Sequence, residues 1–404
     1  MTHLPASKFL DRRTPPTVFT LIALASVGAL AMNMFLPSLP AMADHFDTSY
    51  SVVQLTVTLF LAMNAVFQLF IGPLSDRFGR RVVTLWSLVI FCLASLGCVF
   101  APTIELFLIC RIFQAVVVAG LVLSRAAIRD MYDSAKAASM MGYVTMGMAL
   151  VPMVGPALGG GLDSYFGWVA SFWVLLGVGI FTLALTYWDM GETNLNPTAS
   201  IAAQFRALPE LLASPRFWGY CLTAAFGAGA YFAYLGGAAY VGTEVFGLSP
   251  AILGIYFGAP AVGYMVGNGL SGALSQKVGV NRMIFIGVLL TLLGLALCIA
   301  LFVFTKPIAF SFFGCVIMMG LGNGLMLPNA MSGMMSVRPH LAGSASGFGG
   351  TIMTAGGALI AAGTGAVLTP GSGAMPLILI MTAVTIGALL SITYVIRRTA
   401  NLES

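Results

Sequence analysis

The residue with the most chemical potential in this chain is Arg111. Long apolar stretches recur along the sequence, near 17–39, 51–71, 82–101, 104–126, 138–161 and 168–188, then near 217–242, 251–274, 283–304, 308–330, 343–368 and 375–396. They contain three ionisable side chains, and two of these, Glu105 and Arg125, stand at the ends of their stretch. Arg111 lies about two helical turns, or ~10 Å, inside. A guanidinium at that depth costs about 2.5–3.5 kcal/mol on insertion scales, so it should face the bundle interior or water and have a partner. A binding or coupling role is favoured over a structural arginine bonded to backbone carbonyls. The expected partner is Asn33, which sits at the same depth on a stretch running the other way.

Aromatic, amide and methionine side chains occupy other mid-stretch positions: Asn64, Gln68, Met148, Tyr231, Phe232, Tyr234 and Tyr264. Such a lining suits bulky, weakly amphipathic ligands, because methionine adapts its shape and rings supply broad apolar contact. Ordinary helix packing produces similar stripes, so Tyr231 and Tyr234 are the preferred candidates. Other chemistries find no residues. The six cysteines lie in apolar runs without a CxxC pair, and the three histidines are far apart. No Walker A loop or GxSxG elbow is present, so no metal or cofactor is expected.

The elements that must position these residues follow from composition. Of 404 residues, 59% are hydrophobic and 8% charged, and mean hydropathy is +0.97. A soluble domain has about a quarter of its residues charged, so a cytosolic enzyme, a nucleic-acid binder and a disordered scaffold are excluded. The stretches are long enough to cross a ~30 Å hydrocarbon layer as helices, which predicts an all-α membrane protein with twelve transmembrane helices. The divisions expected are a tail over 1–16, six-helix bundles over 17–188 and 217–396, a central loop over 189–216 and a tail over 397–404. With the N-terminus inside, the inside segments hold 16 of the 18 basic residues, which makes both termini cytoplasmic.

Gly72-Pro-Leu-Ser-Asp-Arg-Phe-Gly79 follows the second stretch, and Gly272-Ala-Leu-Ser-Gln-Lys-Val-Gly279 follows the eighth, at an offset of 200. Two pseudo-symmetric halves with corresponding loops read as a duplicated transporter. The first copy, with Gly72, Asp76, Arg77, Gly79, Arg80 and Arg81, resembles the signature loop of the major facilitator superfamily, where it steadies one state of the access cycle. Asp76 is suited to a helix N-terminus; Gln276 replaces it in the second copy. Gly155-Pro156-Ala-Leu-Gly159-Gly160 resembles the superfamily's antiporter motif, with Val151 in place of its leading glycine. Arg111-Ile-Phe-Gln114 resembles its fourth-helix motif, with Ala115 in place of a glycine.

Met32-Asn33-Met34-Phe35-Leu36-Pro37-Ser38-Leu39-Pro40, Arg129-Asp130-Met131-Tyr132 and Pro339-His340-Leu341-Ala342-Gly343 narrow the resemblance to the Bcr/CflA group of drug:proton antiporters. It implies a monomeric carrier in a bacterial inner membrane, exporting a phenicol- or bicyclomycin-like drug against protons by rocking of its halves. Arg111 would then bind substrate or a coupling carboxylate, with Gln114 and the tyrosines orienting the substrate. The group typically has aspartate where this chain has Asn33, and an amide cannot titrate. Three explanations compete: an engineered change imitating a protonated aspartate, coupling moved to a carboxylate at the outer mouth, or an uncoupled carrier. The first is preferred. An importer of a small organic anion or metabolite is the alternative function.

Overall fold

A computed structural model describes residues 7–132, 140, 144, 147–148, 151–194, 208–305, 307–338, 342–369 and 371–403. The described chain is nearly all helical, because a backbone inside hydrocarbon must satisfy its own hydrogen bonds. The first half contains α1 (Val18–Asn33), α2 (Leu39–His45), α3 (Tyr50–Phe78), α4 (Arg80–Val99), α5 (Ile104–Gln114), α6 (Val118–Met131), α7 (Val151–Phe166) and α8 (Val169–Asp189). After the short α9 (Leu208–Leu212), the second half contains α10 (Pro215–Tyr240), α11 (Pro250–Phe257), α12 (Ala259–Val278), α13 (Val280–Phe304), α14 (Ala309–Ser336), α15 (Ala342–Val367) and α16 (Met375–Glu403).

Short tight-wound pieces join α1 to α2 and α5 to α6, and Gly258 alone separates α11 from α12, so these pairs act as single traverses. Eleven helices among the described residues are long and apolar enough to cross a membrane. The expected fifth traverse, 138–161, is described mainly through α7; much of its first part lies outside the described residues, as do Pro339, His340 and Leu341.

The duplication is visible in backbone angles. α3 ends at Gly79 with φ +95° and ψ 148°, and α12 ends at Gly279 with φ +92° and ψ 146°. An L side chain rarely adopts that combination, so glycine is required at both bends.

Helix crossings are built on small residues. A Cβ added at Gly263, Gly267, Gly320 or Gly324 would collide with facing backbone between α12 and α14. Such close approach replaces the hydrophobic drive that lipid cannot supply.

Contacts between the halves gather toward the face opposite the two termini, called here the far face. α3 packs on α15 and α7 on α11. Gly160 meets the Pro250 carbonyl, and Gly254 meets that of Pro156. Toward the terminal face, Gly72 and Gly272 have nothing within 4 Å of an added Cβ. None of the three ion pairs among the described residues joins the halves.

Candidate functional site

Between the halves lies a cavity of ≈ 210 Å³ lined by Ala29, Met148, Ala228, Tyr231, Phe232, Pro260, Ala261, Tyr264, Gly320, Asn323, Leu327 and Met353. α1 and Met148 supply one wall, and α10, α12, α14 and α15 the other. The lining is aromatic, methionine and small side chains with two phenols and one amide. Asn323 is 3% exposed, and its Oδ1 has no hydrogen-bond partner among the described residues. It was not singled out from the sequence, although an amide inside the glycine-rich run Gly320-Leu-Gly-Asn-Gly324 was a signal for a polar contact.

At the cavity's α1 side, the Tyr231 hydroxyl donates to Asn33 Oδ1 at 3.3 Å, while Asn33 Nδ2 donates to the Ala29 carbonyl at 2.7 Å. Asn33 therefore joins the halves through its acceptor and holds its own helix through its donor.

Arg111 is not the partner of Asn33. It is fully buried, and its Nη1 donates to the Ala31 carbonyl at 3.1 Å and to Gln114 Oε1 at 2.5 Å. The guanidinium carbon lies 4.4 Å from the ring centroids of both Phe35 and Phe60, a cation held between two π faces. Gln114 Nε2 donates to Ser95 Oγ at 2.7 Å. Arg111 thus ties α5 to α1 and α3 directly, and to α4 through Gln114. Its Nε and Nη2 have no hydrogen-bond partner among the described residues.

Two other expected lining residues also face elsewhere. Tyr234 is fully buried and donates to the Phe257 carbonyl at 3.1 Å, among Phe257, Phe312 and Phe313. Asn64 donates to the Phe60 carbonyl at 3.2 Å on its own helix. Tyr231, Tyr264 and Met148 do line the cavity.

The signature segment is helical up to Phe78, so Asp76 lies in the last turns of α3 and not at a helix N-terminus. Asp76 pairs with Arg80, whose Nε donates to Asp130 Oδ2 at 3.2 Å and whose Nη1 donates to Ser75 Oγ at 2.5 Å. Arg77 stands over the Phe78 ring. The N-terminus of α4 is capped by Glu192, which the sequence did not single out. It accepts the Arg80 N–H at 2.8 Å and the Arg81 N–H at 3.1 Å. Asp189 is likewise buried at the foot of α1, accepting the Thr17 N–H at 2.9 Å and the Thr20 hydroxyl at 2.6 Å. Both acids come from residues expected to form a connecting loop, so no helical spacing pointed to them.

In the antiporter motif, Gly159 lies against the Met34 carbonyl and Gly155 is 3.8 Å, at an added Cβ, from Asn33 Cβ. Pro156 presents its carbonyl to Gly254. The segment therefore seats the end of α1, including Asn33, against α7.

The family signature described as Major Facilitator Superfamily matches residues 21–362. The chain belongs to the major facilitator superfamily. Members of this superfamily are transporters, not enzymes. An uncharacterized MFS-type transporter of Bacillus subtilis strain 168, YdgK, is 30% identical over 98% of this chain and 96% of its own length. A chloramphenicol resistance protein of Pseudomonas aeruginosa is 29% identical over 85% of this chain and 83% of its own. Multidrug resistance protein D of Escherichia coli K12 is 26% identical over 91% and 93%. Among solved structures, a bacterial homologue of the human lysosomal transporter Spinster superposes with a TM-score of 0.73 at 17% identity, covering 95% of this chain and 96% of that one. The superfamily fold gives the cavity its place: two six-helix halves meet along it.

Proposed function

We propose that this major facilitator protein exports bulky, largely apolar, antibiotic-like molecules from a bacterial cell in exchange for protons. The observation that supports this best is the cavity wall, where rings, methionines and small residues from both halves surround a few hydrogen-bonding groups. A hydrophilic metabolite would leave most of its own polar groups unpaired against that wall. The relatives named for chloramphenicol and multidrug resistance point to the same class of substrate. The volume of ≈ 210 Å³ is below the roughly 300–1,000 Å³ of drug-sized pockets, so loading requires the halves to part further. The loop charges put the termini in the cytoplasm, making the packed far face the outer one and the loading side the inner one.

The hydrogen bonds of Asn33 are those of a protonated aspartic acid: one donor to the Ala29 carbonyl and one acceptor for the Tyr231 hydroxyl. An ionised carboxylate would set negative charge against that carbonyl oxygen, so deprotonation would loosen the link at this point. This favours the reading of Asn33 as a fixed imitation of the protonated state. Arg111 then holds the Ala31–Phe35 segment around position 33 and acts by positioning.

Proteoliposomes with a proton gradient and chloramphenicol test the proposal. Asn33→Asp is expected to add proton movement that depends on drug, with Asn33 protein moving drug without it. Absence of binding and of drug movement for phenicols and other lipophilic drugs in both proteins would sink the efflux reading.

A further inference from the structure

A second concavity lies away from the substrate path, on the outside of the second half, at the terminal face. It is a groove of ≈ 490 Å³ along the seam between α10 and α16, with Trp218 and Leu222 on one side and Leu390 and Tyr394 on the other. Leu222, Leu390 and Tyr394 are 37%, 66% and 45% exposed. These residues belong to two membrane-crossing helices, so the groove opens to lipid.

Three arginines stand at one level at its terminal end, by a register argument. A Cβ added at Gly229 lies 3.7 Å from that of Val384, one at Gly387 lies 3.1 Å from the Phe226 ring, and one at Gly219 lies 3.5 Å from the Tyr394 ring and touches Val395. The helices are therefore antiparallel in fixed register, each step back along α10 matching one forward along α16. Arg216, three residues before Gly219, lies level with Arg397 and Arg398, three and four residues beyond Tyr394. On α16 the spacing Leu390, Tyr394, Arg397/Arg398 also keeps the groove residues and the arginines on one helical face.

None of the three arginines takes part in an ion pair among the described residues, and the buried Arg216 Nε has no hydrogen-bond partner there. Like charges brought together at the headgroup level of a membrane repel unless an anion joins them.

We propose that this seam is a binding site for an anionic phospholipid. The phosphate sits among Arg216, Arg397 and Arg398, and an acyl chain lies along Trp218, Leu222 and Leu390. Arginine forks match phosphate oxygens in pairs. A basic cluster beside a membrane helix attracts acidic lipid by about fivefold per residue, and the apolar groove fixes the chain that a free phosphate would lack.

Trp218 reports occupancy. The full-length protein is placed in nanodiscs containing phosphatidylglycerol or phosphatidylcholine with brominated acyl chains. The quenching lost in Trp218→Phe gives the Trp218 component. Brominated phosphatidylglycerol is expected to quench that component at least about tenfold more effectively, per mole, than phosphatidylcholine. The preference is expected to fall to parity in Arg216→Gln/Arg398→Gln and to weaken at high salt in the unaltered protein, since partly exposed charges are screened. Equal quenching by the two lipids, or a preference indifferent to both the substitutions and salt, would overturn the proposal. Should the double variant fail to fold, the salt series and counts of phosphatidylglycerol retained in native mass spectra of Arg397→Gln decide it alone.

Discussion

The Tyr231 hydroxyl reaches Asn33 Oδ1 across the boundary between the two halves, 3.3 Å away. It is a side-chain hydrogen bond between α1 and α10, made by a tyrosine that lines the cavity. In the proposed transport cycle a link of this kind must break each time the halves exchange access. Neutral hydrogen bonds contribute about 0.5–1.5 kcal/mol, enough to bias a two-state equilibrium several-fold without locking it. Tyr231→Phe is therefore expected to lower the melting temperature slightly and to shift the population toward a far-face-open state. Asn33→Ala should give nearly the same shift, and the double variant little more. Strictly additive effects in that cycle would mean the two side chains do not interact.

Placing an ionisable group at position 33 separates the coupling explanations. Asn33→Asp is expected to make drug movement follow a proton gradient. Asp163 is the main rival site, being half-buried near the far end of α7 with an Oδ2 that has no hydrogen-bond partner among the described residues. Asp163→Asn should leave the coupling conferred by Asn33→Asp intact. If proton movement is already present in the Asn33 protein and disappears with Asp163→Asn, the coupling carboxylate is Asp163.

Arg111 is expected to behave as a structural residue. Arg111→Ala leaves the Ala31 carbonyl and Gln114 Oε1 without their donor, at ~1–3 kcal/mol each, and removes two cation–π contacts. A loss on the order of 3–5 kcal/mol should appear as a large drop in melting temperature, or as failure to accumulate. Arg111→Lys keeps the charge, but a compact ammonium cannot reproduce the planar stacking between Phe35 and Phe60. It is expected to fold with reduced stability and to bind drug with an unchanged dissociation constant. Loss of drug binding with stability retained would make Arg111 a ligand after all.

The all-helical membrane fold and the paired bends were legible because lipid imposes length and hydropathy on every helix, and because a positive-φ bend demands glycine at both 79 and 279. Depth along a helix was legible too: Ala31 and Phe35, which hold Arg111, bracket Asn33. Direction around the helix was not. Tyr231 and Tyr234 are three residues apart and equally aromatic, yet one lines the cavity and the other is enclosed by Phe257, Phe312 and Phe313. A helix apolar all round offers no moment to tell cavity from core. Nor could spacing reveal that Glu192, more than a hundred residues away, would cap the helix for which Asp76 was suited.

The far-face seal should be sensitive to single methyl groups. Gly254 on α11 lies against the Pro156 carbonyl, and Gly160 on α7 lies against that of Pro250. Gly254→Val places two methyls in this crossing, where the contact is with backbone that cannot rotate away. The far face is expected to stay open. Spin labels at Ser49 and Glu244, exposed at that face on opposite halves, should show a longer mean separation than in unaltered protein. An unchanged distance would show that the crossing yields without opening.

The two equivalent glycines offer a matched pair. Gly79→Ala and Gly279→Ala both force a side chain into a conformation that costs about 1–3 kcal/mol. At Gly279 the added methyl meets nothing within 4 Å, so strain is the whole effect. At Gly79 it collides with the Glu192 carboxylate, which accepts N–H groups from Arg80, Arg81, Thr193 and Asn194. Displacing that cap removes several charge-assisted hydrogen bonds at once, and the helix terminus loses its compensating charge. Gly79→Ala is therefore expected to lower the melting temperature by clearly more than Gly279→Ala. Glu192→Ala should cost about as much as the excess, and adding it to Gly79→Ala should change little further. Equal losses at the two glycines would show that the cap contributes nothing and that the bend alone matters.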